Sequence, residues 1–267
     1  MPPTIGGRPL SRPDESFGGR VLVVPAAGLG SRLRSTLPKV LVPVAGRAML
    51  DWLVGLYDSY VDRFVLVANP ASRTAITDHV ARLGVPATIV VQDEPTGMLD
   101  AILIARPVVE ASSAHHVWIT WCDQVAVHPK TVARLADLSD GNPGAAMVMP
   151  TCTREQPYIH LERGADGRIA QVLHRREGDR MPLVGESDMG LFSLSRRAFV
   201  EDLHAYSESA TLGEGTGERN FLPFIPWAET RGGVVTFRCV AEAESVGVNT
   251  PDELATIERY LMERSGS

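Results

Sequence analysis

Lysine is nearly missing from this chain of 267 residues: Lys39 and Lys130 stand against 24 arginines. Where arginine has taken over almost every solvated basic position, a retained lysine marks a place that needs a compact, strongly hydrated charge. His128-Pro129-Lys130 reads as an ordinary helix start, so the point bears on Lys39. Cysteine is scarce too. Cys122, Cys152 and Cys239 are widely spaced, matching neither a zinc pattern nor an even disulfide set, which predicts a reducing, cytoplasmic setting. No apolar run reaches membrane length, and the amino-terminal stretch lacks the apolar core of a signal peptide. No basic run is present and the net charge is −6, which excludes nucleic acid and membrane as expected partners. Locally placed cations still suffice for a small phosphorylated ligand.

What is present alternates. Apolar runs at 21–25, 63–68, 87–91, 116–121 and 144–149 are separated by helical patterns near 48–60, 71–83, 98–110 and 129–138. This rhythm predicts βαβ units and a mostly parallel sheet. After residue 150 it changes. Residues 157–162 and 167–174, joined by Ala165-Asp166-Gly167, read as a small antiparallel excursion. A strand near 188–194, a helix near 195–205 and a strand near 233–240 follow. Thr250-Pro251-Asp252-Glu253 opens a last helix, with a capping hydroxyl, proline at the first turn and acids at the positive dipole end. The simplest division is a Pro-, Gly- and Arg-rich leader at 1–19, one α/β domain over 20–262 and a tail at 263–267.

The densest chemistry lies just after the first strand. Val21-Leu22-Val23-Val24 runs into Pro25-Ala26-Ala27-Gly28-Leu29-Gly30-Ser31-Arg32, then Pro38-Lys39. A strand, a loop of small residues and two cations make a phosphate cradle at the carboxyl end of a parallel sheet. Glycines alone would also fit a plain tight turn. The full run Ala26-Ala27-Gly28-Leu29-Gly30-Ser31-Arg32-Leu33, Ser35, Pro38-Lys39-Val40-Leu41 and Ala45-Gly46-Arg47-Ala48-Met49 is more specific. It resembles the sugar-1-phosphate nucleotidyltransferase superfamily, most of all the pyrophosphorylase domain of N-acetylglucosamine-1-phosphate uridylyltransferase, a MobA-like NTP transferase. That family writes A-A-G-x-G-S/T-R-M-x-S-x-x-P-K-V-L-x-x-x-A-G-x-P-M, with the Gly30-to-Lys39 spacing kept without a gap.

The resemblance implies a GT-A-like Rossmann-type three-layer sandwich in an enzyme that joins an NTP to a sugar or polyol phosphate and releases pyrophosphate. Within it Arg32 and Lys39 would be catalytic, and Ala26, Ala27, Gly28, Gly30 and Ser31 would hold the nucleotide. Gln92 and Gly97 align with a base-contacting segment, although the threonine that follows the glycine is Met98 here. Magnesium (Mg²⁺) would sit on Asp123 and Asn249, two hard oxygen ligands, with phosphate and water completing the shell. Taken alone, Asp123 also fits a cap after its strand and Asn249 a turn residue. Cys122 replaces the glycine that precedes the family's acid.

The acceptor side departs furthest. The family's glutamate falls on His174, its asparagine on Asp188, and the glycine after Pro157-Tyr158 is Ile159; Gly190 is retained. His174, Asp188 and Gly190 are thus acceptor candidates, and structural hydrogen-bonded roles fit the first two equally. The changes argue against an acetamido sugar. Gly217-Glu218 echoes another family segment, while Phe221-Leu222-Pro223-Phe224-Ile225 reads as core. His115-His116 reads as a strand entrance, and Arg175-Arg176 and Arg196-Arg197 as solvated surface, with approach to an anionic acceptor open to the first pair. The family's bifunctional members carry a hexapeptide-repeat acetyltransferase half, for which no repeat is found here. Three rivals stay open: a cytidylyltransferase on an alcohol phosphate or phosphonate, a GT-A glycosyltransferase, and a silent nucleotide sensor. The glycosyltransferase lacks its Asp-x-Asp motif, since the chain reads Asp123-Gln124-Val125. The base, the acceptor and any homo-oligomer are left open.

Overall fold

β1 (Arg20–Pro25) is buried at every position. Its unbroken apolar run suits a strand flanked by strands on both edges and helices on both faces. Side chains alternate, so Leu22 and Val24 enter one core while Val21 and Val23 enter the other. The computed structural model describes residues 19–28, 30–33 and 35–265. The leader, apart from Gly19, lies outside the described residues, as do Leu29 and Arg34.

A minor hairpin, β2 (Pro43–Val44) and β3 (Arg47–Ala48), leads into α1 (Met49–Tyr57). The alternating half follows: β4 (Arg63–Ala68), α2 (Arg73–Leu83), β5 (Ala87–Val91), α3 (Met98–Leu103), α4 (Arg106–Glu110), β6 (His116–Thr120) and α5 (Pro129–Gly141). Then come β7 (Met147–Glu155), the hairpin of β8 (Ile159–Arg163) and β9 (Ile169–His174), β10 (Val184–Asp188) and β11 (Leu191–Ser195). A π-helical turn at Ala198–Asp202 runs into α6 (Leu203–Ser209), followed by α7 (Phe224–Glu229), β12 (Val234–Arg238) and α8 (Pro251–Ser265).

The main sheet runs β10-β7-β11-β6-β1-β4-β5, with β12 also on β7. β6, β1, β4 and β5 pair in parallel, as do β7 and β12, while β10 and β11 run antiparallel. One face is covered by Leu53 of α1, Ile76 of α2, Leu135 of α5 and Ile257 of α8. The other is covered by Ile102 of α3, Val109 of α4, Leu203 of α6, Ile225 of α7 and Leu161 of β8. This is the expected three-layer α/β sandwich, and the antiparallel excursion after residue 150 is the β8–β9 hairpin.

Several elements differ in detail from the sequence expectation. The single strand near 188–194 is two strands, because Gly190 at φ 65° turns the chain and the Asp188 carboxylate accepts the Gly190 N–H at 2.8 Å. The helical pattern 98–110 breaks into α3 and α4, and α8 continues past residue 262 to Ser265. Arg196 is not a solvated surface cation. Its guanidinium donates to the carbonyl oxygens of Val109, Ser112, Ala114 and Glu110, and so holds the end of α4 against the end of β11. His116 does open a strand, and Pro129 starts α5 with the His128 imidazole accepting from the Lys130 N–H at 3.1 Å. Phe221, Leu222, Phe224 and Ile225 are core, as read.

Candidate active site

The loop after β1 stays on the sheet for one more residue, since Ala26 N–H donates to Val67 at 2.8 Å. Asn69, just beyond β4, donates its side-chain amide to the Ala27 carbonyl at 2.7 Å and fixes where the loop leaves. Gly30 has φ 61°, and a Cβ there would stand only 3.0 Å from Lys39 Cβ. Both facts require glycine, because the left-handed region and the close approach penalise any side chain. Pro38 and buried Val40 then set the short turn that begins with Lys39.

Lys39 Nζ donates to Asp123 Oδ2 at 2.5 Å and to Asn249 Oδ1 at 2.7 Å. Arg32 Nη2 reaches the same Asn249 oxygen at 3.2 Å. Three segments far apart in sequence thus meet at one ammonium. Burial opposes the Lys39 charge, but the Asp123 carboxylate outweighs it and lifts the amine above the ordinary lysine value. Asp123 leaves the end of β6, where its carbonyl accepts Val248 N–H at 3.2 Å. A Cβ at Gly247 would lie 3.0 Å from Asp123 Oδ2, so glycine lets this loop pass close to the carboxylate. Asn249 is held by the start of α8: Glu253 Oε2 accepts the N–H groups of Asn249 and Thr250, both at 2.9 Å. Thr250 Oγ1 accepts Glu253 N–H in return, which is a reciprocal cap.

A cavity of about 300 Å³ opens over this cluster, and Ala27, Gly28, Lys39, Gln92, Gly97, Asp123 and Asn249 line it. Gln92 Nε2 donates to the Gly97 carbonyl at 3.2 Å, which leaves the amide oxygen to meet a ligand. Gly97, at φ 125°, lies where a Cβ would strike the Arg219 backbone. Trp121, Met98, Cys122 and Glu218 complete the walls. Burial pushes the Cys122 thiol up to about 12, so it stays neutral beside Asp123 and is no nucleophile. Ala26 is buried beneath the loop, and Gly30 packs on Lys39 outside the lining. Of Ser31 only the backbone is described, in the turn Ser31–Leu33. A larger cavity, about 410 Å³ around His115, Arg196 and Arg231, lies at the opposite, amino ends of β1 and β6. In such sheets ligands bind at the carboxyl ends.

The three acceptor candidates do not line the cavity. Asp188 is buried, with its carboxyl pushed up to about 6 by that burial. Gly190 takes the positive φ that lets the Trp121 ring sit where a Cβ would be, and its carbonyl accepts Trp121 N–H at 3.0 Å. Asp188 and Gly190 therefore meet the cavity only through Trp121, which lines it. His174 accepts from the Asn220 amide at 3.1 Å on Nδ1, and its buried Nε2 has no protein partner. Burial holds this imidazole below the ordinary histidine value. Trp121 was missed as a site residue, although it follows β6 directly and stands two positions before Asp123.

Asp123 Oδ2 and Asn249 Oδ1 converge on one positive charge, the Lys39 ammonium. Among the described residues no group of three or more His, Cys, Asp or Glu could hold a metal. A two-oxygen site fits magnesium, which keeps phosphate and water as its other ligands.

Residues 22–189 match the model of the MobA-like NTP transferase domain. The chain belongs to this family. Its relatives include several proteins named "Bifunctional protein GlmU". That of Rhodopseudomonas palustris is 38% identical over 245 residues, 91% of this chain and 52% of its own length. That of Acidiphilium cryptum is 29% identical over 245 residues, covering 91% and 53%. That of Thermodesulfovibrio yellowstonii is 26% identical over 249 residues, covering 91% and 52%. The chain spans about half the length of these curated relatives. It is a nucleotidyltransferase with a Rossmann-like fold, and no helix among its described residues is long and apolar enough to cross a membrane.

Proposed function

We propose that this nucleotidyltransferase joins an NTP to a sugar or polyol phosphate and releases pyrophosphate. The observation that carries the reading is the Lys39 ammonium held between Asp123 and Asn249 at the foot of the glycine loop. An acceptor phosphate is ionised at neutral pH, so its oxygen attacks the α-phosphorus without a protein base. The new P–O bond forms in line with the bond that breaks to the β-phosphate. Such transfers need positioning and charge neutralisation more than covalent help.

The backbone N–H groups of Ala27, Gly28, Gly30 and Ser31 and the Arg32 guanidinium hold the β- and γ-phosphates. Lys39 stands between the α-phosphate and the acceptor phosphate and offsets the repulsion of two anions. Asp123 and Asn249 would hold magnesium, which supplies polarisation of the α-phosphoryl oxygen. The two oxygens that would hold the ion are the ones that the Lys39 ammonium bonds, so the ammonium would be left to the phosphates. Gln92 presents its amide oxygen to a base N–H, which suits uracil N3 or the cytosine amino group. The second of these favours keeping a cytidylyltransferase on an alcohol phosphate or phosphonate as the alternative. His174, Asp188 and Gly190 shape the acceptor side, the last two by setting Trp121.

Pyrophosphate release with magnesium, across four NTPs and a panel of sugar, polyol and alcohol phosphates, tests this reading. Release with a single NTP–acceptor pair supports it and identifies the base. Transfer of a sugar from a nucleotide sugar, with no pyrophosphate, overturns it.

A further inference from the structure

β7 and β12 run parallel, with Val148 opposite Val235 and Pro150 opposite Phe237. Val148, Val235 and Phe237 all belong to the core beneath α1, α5 and α8. Side chains on a strand repeat every second residue. One further step on each strand brings Cys152 and Cys239 onto that same face, side by side. The pairing reaches them, since Cys239 N–H donates to the Thr151 carbonyl at 3.0 Å. Neighbouring strands lie about 4.7–4.9 Å apart, inside the roughly 4.4–6.8 Å Cα separation that a disulfide accepts.

The register sets the two thiols beside each other. Cys239 Sγ donates to the Ala241 carbonyl at 3.4 Å, and the Cys152 sulfur is near enough to share that proton. Accepting that hydrogen bond holds the Cys152 thiol below the ordinary range despite burial, with Ser245 and Arg154 helping. Donating it raises Cys239. Cys152 is buried and Cys239 half-buried. A thiol with a lowered pKa poised beside a resolving thiol is the arrangement of a redox pair.

We infer that Cys152 and Cys239 are a redox modification site that closes to a reversible disulfide with a peroxide as oxidant. The Cys152 thiolate attacks one peroxide oxygen; the O–O bond breaks and hydroxide leaves. The Cys239 sulfur then attacks the sulfenic sulfur, the S–O bond breaks, and the released oxygen and the Cys239 proton leave as water. Two thiols are oxidised, one peroxide is reduced to two waters, and a dithiol restores the pair. A transient disulfide of this kind is the form that a reducing compartment permits. The chain beyond Cys239 leads through the turn Glu242–Ser245 to Asn249, so the bond would tie that lead to β7. The inference rests on strand register and not on the reading of the reaction.

The test treats the reduced, full-length protein with one equivalent of hydrogen peroxide. Thiols are counted under denaturing conditions, and the peptides are mapped by mass. Expected are a fall from three thiols to one, a mass lower by two hydrogens, a Cys152–Cys239 peptide pair, and full recovery with dithiothreitol. Cys122→Ser should still form the pair. Cys239→Ser should stop at a sulfenic acid on Cys152 that dimedone traps, and Cys152→Ser should leave Cys239 reduced. Three surviving thiols, a bond to Cys122, an intermolecular dimer, or direct passage of Cys152 to sulfinic acid would each overturn the proposal.

Discussion

Replacing Lys39 with methionine removes one ammonium and moves two quantities in opposite directions. The side chains of Lys39 and Asp123 are only 12% and 10% exposed, so solvent cannot replace the lost charge in full. Transition-state stabilisation by one such donor is worth about 2.7–4 kcal/mol, and turnover should fall roughly 10²–10³-fold. Metal binding to the free protein should instead tighten. The ammonium now bonds both Asp123 Oδ2 and Asn249 Oδ1, and a metal has to displace it. A hydrogen bond to a charged group contributes about 1.5–3 kcal/mol. At about 1.4 kcal/mol per tenfold, removal of the competitor gives roughly 10–100-fold tighter binding. Pyrophosphate release gives the first number and calorimetric titration of nucleotide-free protein with Mn²⁺ the second. A thermal melt confirms that the variant is folded. Turnover within a few-fold of the parent refutes the charge-bridging role. Weaker metal binding refutes the shared site.

The remaining expectations concern stability and pH. Gly190→Ala forces a side chain into the left-handed region and into the Trp121 ring, at a cost of about 2–5 kcal/mol by urea denaturation; a loss below 1 kcal/mol would contradict the packing. Asp188 titrates at about 6 in the folded chain against 3.8 for an ordinary aspartate, so the fold binds this proton more tightly than the unfolded chain does. The corresponding stability is complete below 3.8 and is lost as the pH rises through about 6, roughly 3 kcal/mol in all. Asp188→Asn keeps an acceptor for Gly190 N–H and should flatten that slope, stabilising the protein at neutral pH but not under acid. An unchanged pH slope in the variant would count against it. Arg196→Ala strips a charged donor from the carbonyls of Val109, Glu110, Ser112 and Ala114 and should cost about 2 kcal/mol. A melting temperature equal to the parent's would return Arg196 to the solvated surface.

Much of this molecule was legible because its signals are local. The run Val21-Leu22-Val23-Val24 has no polar face to alternate with, and only a strand covered on both sides tolerates that. The Gly30-to-Lys39 spacing is likewise one continuous device: the backbone turn at Gly30 makes the room that Lys39 fills. Asp123 and Asn249 could be placed only by resemblance, since nothing in their own neighbourhoods says that they meet. What stayed illegible depends on register and on distant carbonyls. Arg196 looks like half of a surface pair until the end of α4 is seen folded onto it. Cys152 and Cys239 look unrelated until parallel pairing counts them into step. Asp188 could be read toward the acceptor or toward a structural hydrogen bond, and the structure gives its carboxylate to the Gly190 amide at 2.8 Å.

The contact between Lys39 and Asn249 spans 210 positions, and that has a meaning for biogenesis. The nucleotide loop, its Asn69 tether and the β1–β4 ladder are complete once the first quarter of the chain has been made. Asn249 arrives only when α8 docks and Glu253 draws its backbone into place. A nascent chain on the ribosome therefore carries Lys39 and then Asp123 without the amide that completes the cluster. The cluster closes only with the last piece of the domain, so a chain stalled or clipped before residue 249 lacks that amide even where its sheet has formed.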